Sequence, residues 1–196
     1  MENMSEIIKE NLSGEYFQRD KVEKLAIAYL EAFRGFPWFE DSLTINEVNK
    51  RLESQLNKTG LRIFTFENAA EEIVAASWFD TPTLSDIENE RGLELRNFAE
   101  RTMSAWKIDR LIWEREVLVV PSYQNLGLGT RIRTRVIEYI DRTFYSSLIL
   151  TRMRDDNFPI IKIAEKLGFK RTDITKPSSQ ILGVSHEYWF RTGGIK

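Results

Sequence analysis

Cysteine is absent from this 196-residue chain, and histidine occurs once, as His186. The first absence excludes a disulfide framework, a thiolate nucleophile and a zinc–cysteine site. The second excludes a multi-histidine metal centre, so no metal is expected. Positive charge is not in excess. The formal net charge is −2, which gives no field for nucleic acid. The nearest thing to a basic stripe is Arg131, Arg133 and Arg135. Alternate helix positions do not share a face. These three are expected to be solvated, with Arg131 near enough to the preceding loop to help hold a phosphate. Apolar runs are too short to span a bilayer. The opening residues MENMSEIIKENLSGEY are acidic and polar, with no apolar stretch of a secretory signal. The expectation is a cytoplasmic protein without nucleic-acid or membrane partners. Repeats, low-complexity tracts and long linkers are also lacking. A hydrophobic content of 42% suits one globular domain over residues 1–196.

Periodicity gives the elements. Residues 1 to about 18 are weakly patterned. Asp20 can cap a helix with apolar positions Val22, Leu25, Ala26, Tyr29, Leu30 and Phe33, ended by Gly35 and Pro37. Thr44 and Glu47 form a capping box for a second helix, with Ile45, Val48, Leu52 and Leu56 on one face. Residues 61–67 and 73–79 read as a hairpin turned at Asn68-Ala69-Ala70. Ser85 and Glu88 suggest a capping box for a helix to about Trp106, weakened by Gly92. Strands follow at 108–120 and 147–151, a helix at 157–167 ended by Gly168, and strands at 169–174 and 184–191. This order predicts an α/β fold with a mixed sheet and helices on both sides.

The densest information lies between residues 114 and 140. A Val-rich strand is stopped by Pro121, and Gln124, Asn125, Leu126, Gly127, Leu128, Gly129 and Thr130 lead into a helix with Leu128, Ile132, Val136 and Ile140 on one face. A strand passing through a Gly-rich turn into a helix N-terminus is an anion cradle. Backbone N–H groups approach a phosphate with no Cβ in the way, and the helix dipole adds attraction. A dinucleotide fingerprint would need a third glycine, where Ile132 stands.

Gln124-x-x-Gly127-x-Gly129 after such a strand resembles the acetyl-CoA loop of the GNAT superfamily of N-acetyltransferases. A second motif follows in the right order: Leu148-Ile149-Leu150-Thr151, then Asn157, then Lys166-Leu167-Gly168-Phe169. The resemblance covers roughly residues 110–172 at motif level and the rest through element order. It adds one helix between the third and fourth family strands, and Glu15-Tyr16-Phe17 is a poor match to the first. In many members a Tyr four residues before the glycine protonates the departing thiolate. Here that position is Ala164.

The resemblance implies a mostly antiparallel sheet with splayed middle strands and direct acetyl transfer from acetyl-CoA to a primary amine of a small molecule or peptide. It also implies pantetheine pairing with Leu118, Val119 and Val120, pyrophosphate held by residues 124–130, and Asn157 near the cofactor arm. Dimers are common in the family, so a homodimer is expected. Glu114 and Glu116 are candidate bases: two residues apart on a strand, they share a side. The alternative is that both are solvated or pair with Arg110 and Arg115. Trp38, Glu40 and Asp41 lie in the loop that meets the acceptor in this family. An aromatic beside carboxylates suits a cationic amine; otherwise Trp38 plugs the core. His186 reads as a base or as a structural residue. A catalytically weak acyl-CoA-binding regulatory module is the competing function, kept open by Ala164.

Overall fold

The computed structural model describes residues 8–13, 19–35, 38–178 and 181–193. In chain order the elements are β1 (Lys9–Ser13), α1 (Arg19–Arg34), α2 (Ile45–Leu56), β2 (Arg62–Glu67), β3 (Ile73–Asp80), α3 (Leu84–Arg91) and α4 (Leu93–Trp106). They continue with β4 (Arg110–Val119), α5 (Leu128–Thr143), β5 (Ser147–Arg154), α6 (Phe158–Lys166), β6 (Lys170–Pro177) and β7 (Ser185–Gly193). The strands form a seven-stranded sheet in the order β1-β2-β3-β4-β5-β7-β6. Strands β4 and β5 run parallel, whereas β1–β2, β5–β7 and β6–β7 are antiparallel. The expected α/β class with a mixed, mostly antiparallel sheet is the one found. The β4–β5 register runs from Arg110 opposite Ser147 to Glu114 opposite Thr151. Strand β4 continues to Val119 and β5 to Arg154.

Backbone contacts divide the chain into two compact units. The first comprises Met1–Trp78 and Glu116–Val136. Its core is the apolar face of α1 and α2 (Leu25, Ala26, Tyr29, Phe33, Val48, Leu52) against Ile63, Ile73, Ala76 and Trp78 of the hairpin, with Leu118 and Val120. The 3.6-residue spacing in the helices puts these side chains on one stripe. Tyr29 and Phe33, one turn apart, stack at 4.0 Å, and the buried Trp78 indole donates to Gln55 at 2.6 Å. Helix α2 starts on the predicted capping box: Glu47 N donates to Thr44 Oγ1 and Thr44 N donates to the Glu47 carboxylate.

The second unit comprises Phe79–Arg115 and Ile137–Lys196. Its core joins Ile87, Leu95 and Ala99 of the α3–α4 pair to Leu111 and Trp113 of β4, Leu148 and Leu150 of β5, and Tyr188 of β7. Here several sequence expectations are corrected. The cap of α3 is Thr83 with Asp86, not Ser85 with Glu88, which fall inside the helix. The single predicted helix is two, divided at Gly92, whose φ of 103° is one that L side chains rarely adopt. Strand β5 runs to Arg154 because β7 pairs with it along its whole length, as far as Arg154 opposite His186. Asp20 is the second residue of α1 rather than its cap. The first strand is Lys9–Ser13, and Glu15-Tyr16-Phe17, like Phe36-Pro37, lies outside the described residues. Arg133 is not solvated: it is fully buried beside Ile132 on the inner side of α5.

Candidate functional site

The Gly-rich turn is built as a cradle. Val120 N donates to Val74 O at 3.0 Å and ties the end of the strand segment to β3. Pro121–Tyr123 forms one turn of 3-10 helix. The Gln124 side chain then folds back and donates to Val119 O at 3.1 Å, bracing the turn. Asn125 and Gly127 take left-handed backbone at φ 62° and 77°. A Cβ placed on Gly127 would meet nothing within 4 Å, so the turn is open on that side. Leu128 is buried and anchors the helix start, whereas Leu126 is exposed. The first bond of α5 runs from Arg131 N to Gly127 O at 3.0 Å. The amides of Leu128, Gly129 and Thr130 precede it and have no helix carbonyl to bond. They sit at the positive end of the helix dipole, where an anion is favoured.

Arg131 borders this turn. Its guanidinium lies over the Phe66 ring at 4.9 Å and pairs with Glu10 at 2.8 Å, and Arg135 approaches the same carboxylate at 3.1 Å. Burial opposes ionisation of Glu10, but the hydrogen bond and charge of Arg131, together with Arg135, hold its pKa below the usual value. The expected solvated pair is therefore tethered to β1.

The candidate bases occupy different surroundings. Glu114 is buried, at 1% exposure, opposite Thr151 in the register. Glu116 is half-buried and lies within electrostatic reach of Tyr29. Burial first, and the Glu116 charge second, push the Tyr29 phenol well above its ordinary pKa. Arg51 hydrogen-bonds Tyr29 and Glu40, and its ion pair with Glu40 is 2.8 Å. Trp38 stacks on Phe33 at 5.0 Å and packs against the first core. Asp41 is exposed.

The first unit thus brings Glu116, Trp38 and Glu40 together through Tyr29, Phe33 and Arg51. Spacing places Tyr29 only on the apolar stripe of α1 and does not single out Arg51. The available signal was the phenol itself: a Tyr on a buried stripe needs a polar partner for its hydroxyl. The arrangement sets a half-buried carboxylate within electrostatic reach of a phenol that keeps its proton.

In the second motif, Asn157 is the N-cap of α6 but makes no side-chain cap bond, leaving its amide for other contacts. Ala164 is fully buried in α6. Gly168, at φ 82°, closes the helix and delivers Phe169 to the interior.

No protein-family model and no curated protein sequence matches this chain. Solved structures do. The ribosomal-protein-S18-alanine N-acetyltransferase of Escherichia coli superposes with a TM-score of 0.60 at 16% identity, over 96% of this chain and 96% of the other. The NAA60 protein of Arabidopsis thaliana, in complex with a bisubstrate analogue, gives 0.65 at 11% identity, over 94% and 97%. The yncA protein of Salmonella typhimurium, with its cofactor acetyl-CoA, gives 0.60 at 14% identity, over 94% and 93%. At these identities the likeness is one of fold.

Proposed function

We propose that this chain, whose fold is that of the GNAT N-acetyltransferases, transfers acetyl from acetyl-CoA directly to a primary amine. The observation that carries the proposal is the turn into α5. Left-handed Asn125 and Gly127, an open side at Gly127 and the unbonded first-turn amides form a receptor for a pyrophosphate. Gly129 and Thr130 continue it, and Arg131 stands beside it. The backbone of Leu118, Val119 and Val120 would pair with the pantetheine arm. When bound, acetyl-CoA supplies the activated thioester carbonyl.

In this reading the amine nitrogen forms a bond to the acetyl carbon, and the carbon–sulfur bond breaks. The amine loses one proton, and the thiolate needs one. Glu116 is the base in this reading, being the half-buried and therefore reachable member of the candidate pair. Glu114, buried at 1% exposure, supports the strand. Ala164 supplies no proton, so the thiolate takes its proton from water or from another segment. Trp38, Glu40 and Asp41 border the acceptor side of the same unit.

Calorimetry with acetyl-CoA tests the proposal. Wild-type protein should bind, and Gly129→Glu should not, since bulk and negative charge enter an anion site. Thiol release against a panel of amines then separates transfer from binding. Binding without release for any amine would leave an acyl-CoA-binding module; equal binding by wild type and Gly129→Glu would end the reading of the loop.

A further inference from the structure

An acid from the first strand sits on the basic residues that follow the Gly-rich turn. Glu10 on β1 stands opposite Phe66 on β2, and opposed residues point to the same side of a sheet. The Arg131 guanidinium lies over that Phe66 ring at 4.9 Å. Arg131 and Arg135 are four residues apart on α5, so they are neighbours on one face. The Glu10 carboxylate lies between them and gives each a different oxygen. One oxygen takes Arg131 Nε at 2.8 Å, and the other takes Arg135 Nε at 3.1 Å. All four residues belong to the first unit, as does the turn at residues 124–130.

A carboxylate bridging two guanidiniums is held as two arginines hold a phosphate. Its position gives the arrangement a use. The Arg131 amide closes the first bond of α5 on Gly127 O at 3.0 Å, so its guanidinium leaves the helix directly after the open amides. Arg135 follows about 6 Å further along the axis. The bridge is open to water: Glu10 is 28% exposed, and Arg131 and Arg135 are 41% and 46% exposed. Ion pairs this open contribute little to the fold and exchange with anions from solution. The neighbouring acid behaves otherwise. Glu67 points to the opposite side of the sheet, is buried, and takes Lys21 at 2.8 Å. Glu67 is thus the structural acid of this sheet edge, and Glu10 is the replaceable one. A phosphate monoester brings about −1.5 to −2 charges and three oxygens, against the single charge and two oxygens of Glu10.

We propose that Arg131 and Arg135 form a second phosphate site, for a phosphate monoester on the nucleotide whose pyrophosphate lies on the turn, and that Glu10 occupies this site as an internal competitor. Coenzyme A carries such a group, on the ribose next to its pyrophosphate. One sugar separates the two anions, and one helical turn separates the two guanidiniums beside the open amides. When the phosphate enters, the Glu10 ion pairs open and each guanidinium turns to a phosphate oxygen. No covalent bond changes. A ligand without the extra phosphate leaves the Glu10 pairs in place and gains nothing from the arginines. Glu10 therefore sets both the affinity for coenzyme A and the preference for its phosphorylated form. The inference rests on the reading of the turn as an acetyl-CoA receptor and deepens it.

Calorimetry with coenzyme A and with dephospho-coenzyme A, which lacks the ribose phosphate, tests it on wild type, Glu10→Gln and Arg135→Gln. Wild type should bind coenzyme A the more tightly of the two. In Glu10→Gln the coenzyme A affinity should rise roughly twofold to fivefold, the scale of an exposed ion pair, with dephospho-coenzyme A unchanged. In Arg135→Gln the preference for coenzyme A should fall toward one. Equal affinity for the two ligands, in wild type and in Glu10→Gln alike, overturns the site and leaves the turn standing. An equal change for both ligands in Glu10→Gln also overturns it, since Glu10 would then act through the fold of the strand. Binding of neither ligand by wild type overturns the reading of the turn and the second site with it.

Discussion

The Arg51 guanidinium holds the Glu40 carboxylate at 2.8 Å, and the same guanidinium hydrogen-bonds the buried Tyr29 phenol. The negative charge of Glu40 is thus answered inside the fold. Glu40→Gln should cost about 1 kcal/mol, as for a partly exposed pair, and lower Tm by roughly 2–4 °C. Acetyl-CoA affinity should be unchanged. Asp41 is exposed, so Asp41→Asn isolates any attraction of a cationic amine: KM rises while Tm stays. A KM rise on Glu40→Gln with Tm unchanged would show that the Arg51 pair contributes nothing to the fold.

Glu116 and Glu114 should separate in kinetics. Glu116→Gln should lower turnover about a hundredfold or more, the range for a general base, with acetyl-CoA affinity held. Glu114→Gln alters a carboxylate that is 1% exposed, so its first effect should be on Tm. Steady-state rates across pH with both variants give the answer. A Glu116→Gln enzyme with wild-type turnover would move the base to a water relay or another residue.

Trp38 lies between two roles, and its packing sets the size of the effect. It is half-buried and stacks on Phe33 at 5.0 Å. Trp38→Ala should destabilise by roughly 2–3 kcal/mol, below the 3–5 kcal/mol of a fully buried aromatic. Urea unfolding with an unchanged m-value is the check.

The sequence made local features legible and left the assembled ones hidden. The capping box at Thr44 and Glu47, the apolar stripe of α1 and the Gly-rich turn before α5 are each written within a few residues. Their physics is local, so spacing alone finds them. The break at Gly92 was underestimated, because a weak helix residue and a left-handed junction look alike in one dimension. Tyr29 with Arg51, and Glu10 with Arg131 and Arg135, meet only through tertiary packing and strand register. Nothing in the spacing of residues 10, 66, 131 and 135 announces that they meet. A row across strands is fixed by register, which hydrophobic alternation leaves open.

Arg115 carries the largest electrostatic effect expected on stability. It bonds Asp80 through two nitrogens at 3.0 and 2.6 Å and Glu90 at 2.6 Å. The Arg115 and Asp80 side chains are 7% and 2% exposed. Arg115→Met takes the guanidinium away from the buried Asp80 carboxylate, at a cost of about 3–5 kcal/mol. The double variant Arg115→Met with Asp80→Asn removes that charge and should recover part of the loss. Denaturant unfolding of the two variants is the comparison. A single variant as stable as wild type would mean that water reaches Asp80 freely.

His186 supplies a pH dependence whose sign is opposite to that of a histidine gaining an acidic partner. Burial and the cations Arg152, Arg154 and Arg91 lower its folded pKa to about 4, from 6.5 for the ordinary side chain. Lys176 stands opposite it in the register, and Asp155 pulls the other way. Between these two pH values the unfolded chain binds the proton more readily than the folded one. Stability therefore falls as pH falls from about 6.5 toward 4. Glu10, Glu47 and Glu67 have lowered folded pKa values and add to the loss at the bottom of that window. The upper part, from about pH 6.5 to 5.5, belongs to the histidine, the only one in the chain. Thermal unfolding there should show Tm falling with pH in wild type and nearly level in His186→Gln. Equal slopes in the two proteins would mean that the imidazole titrates as if in water.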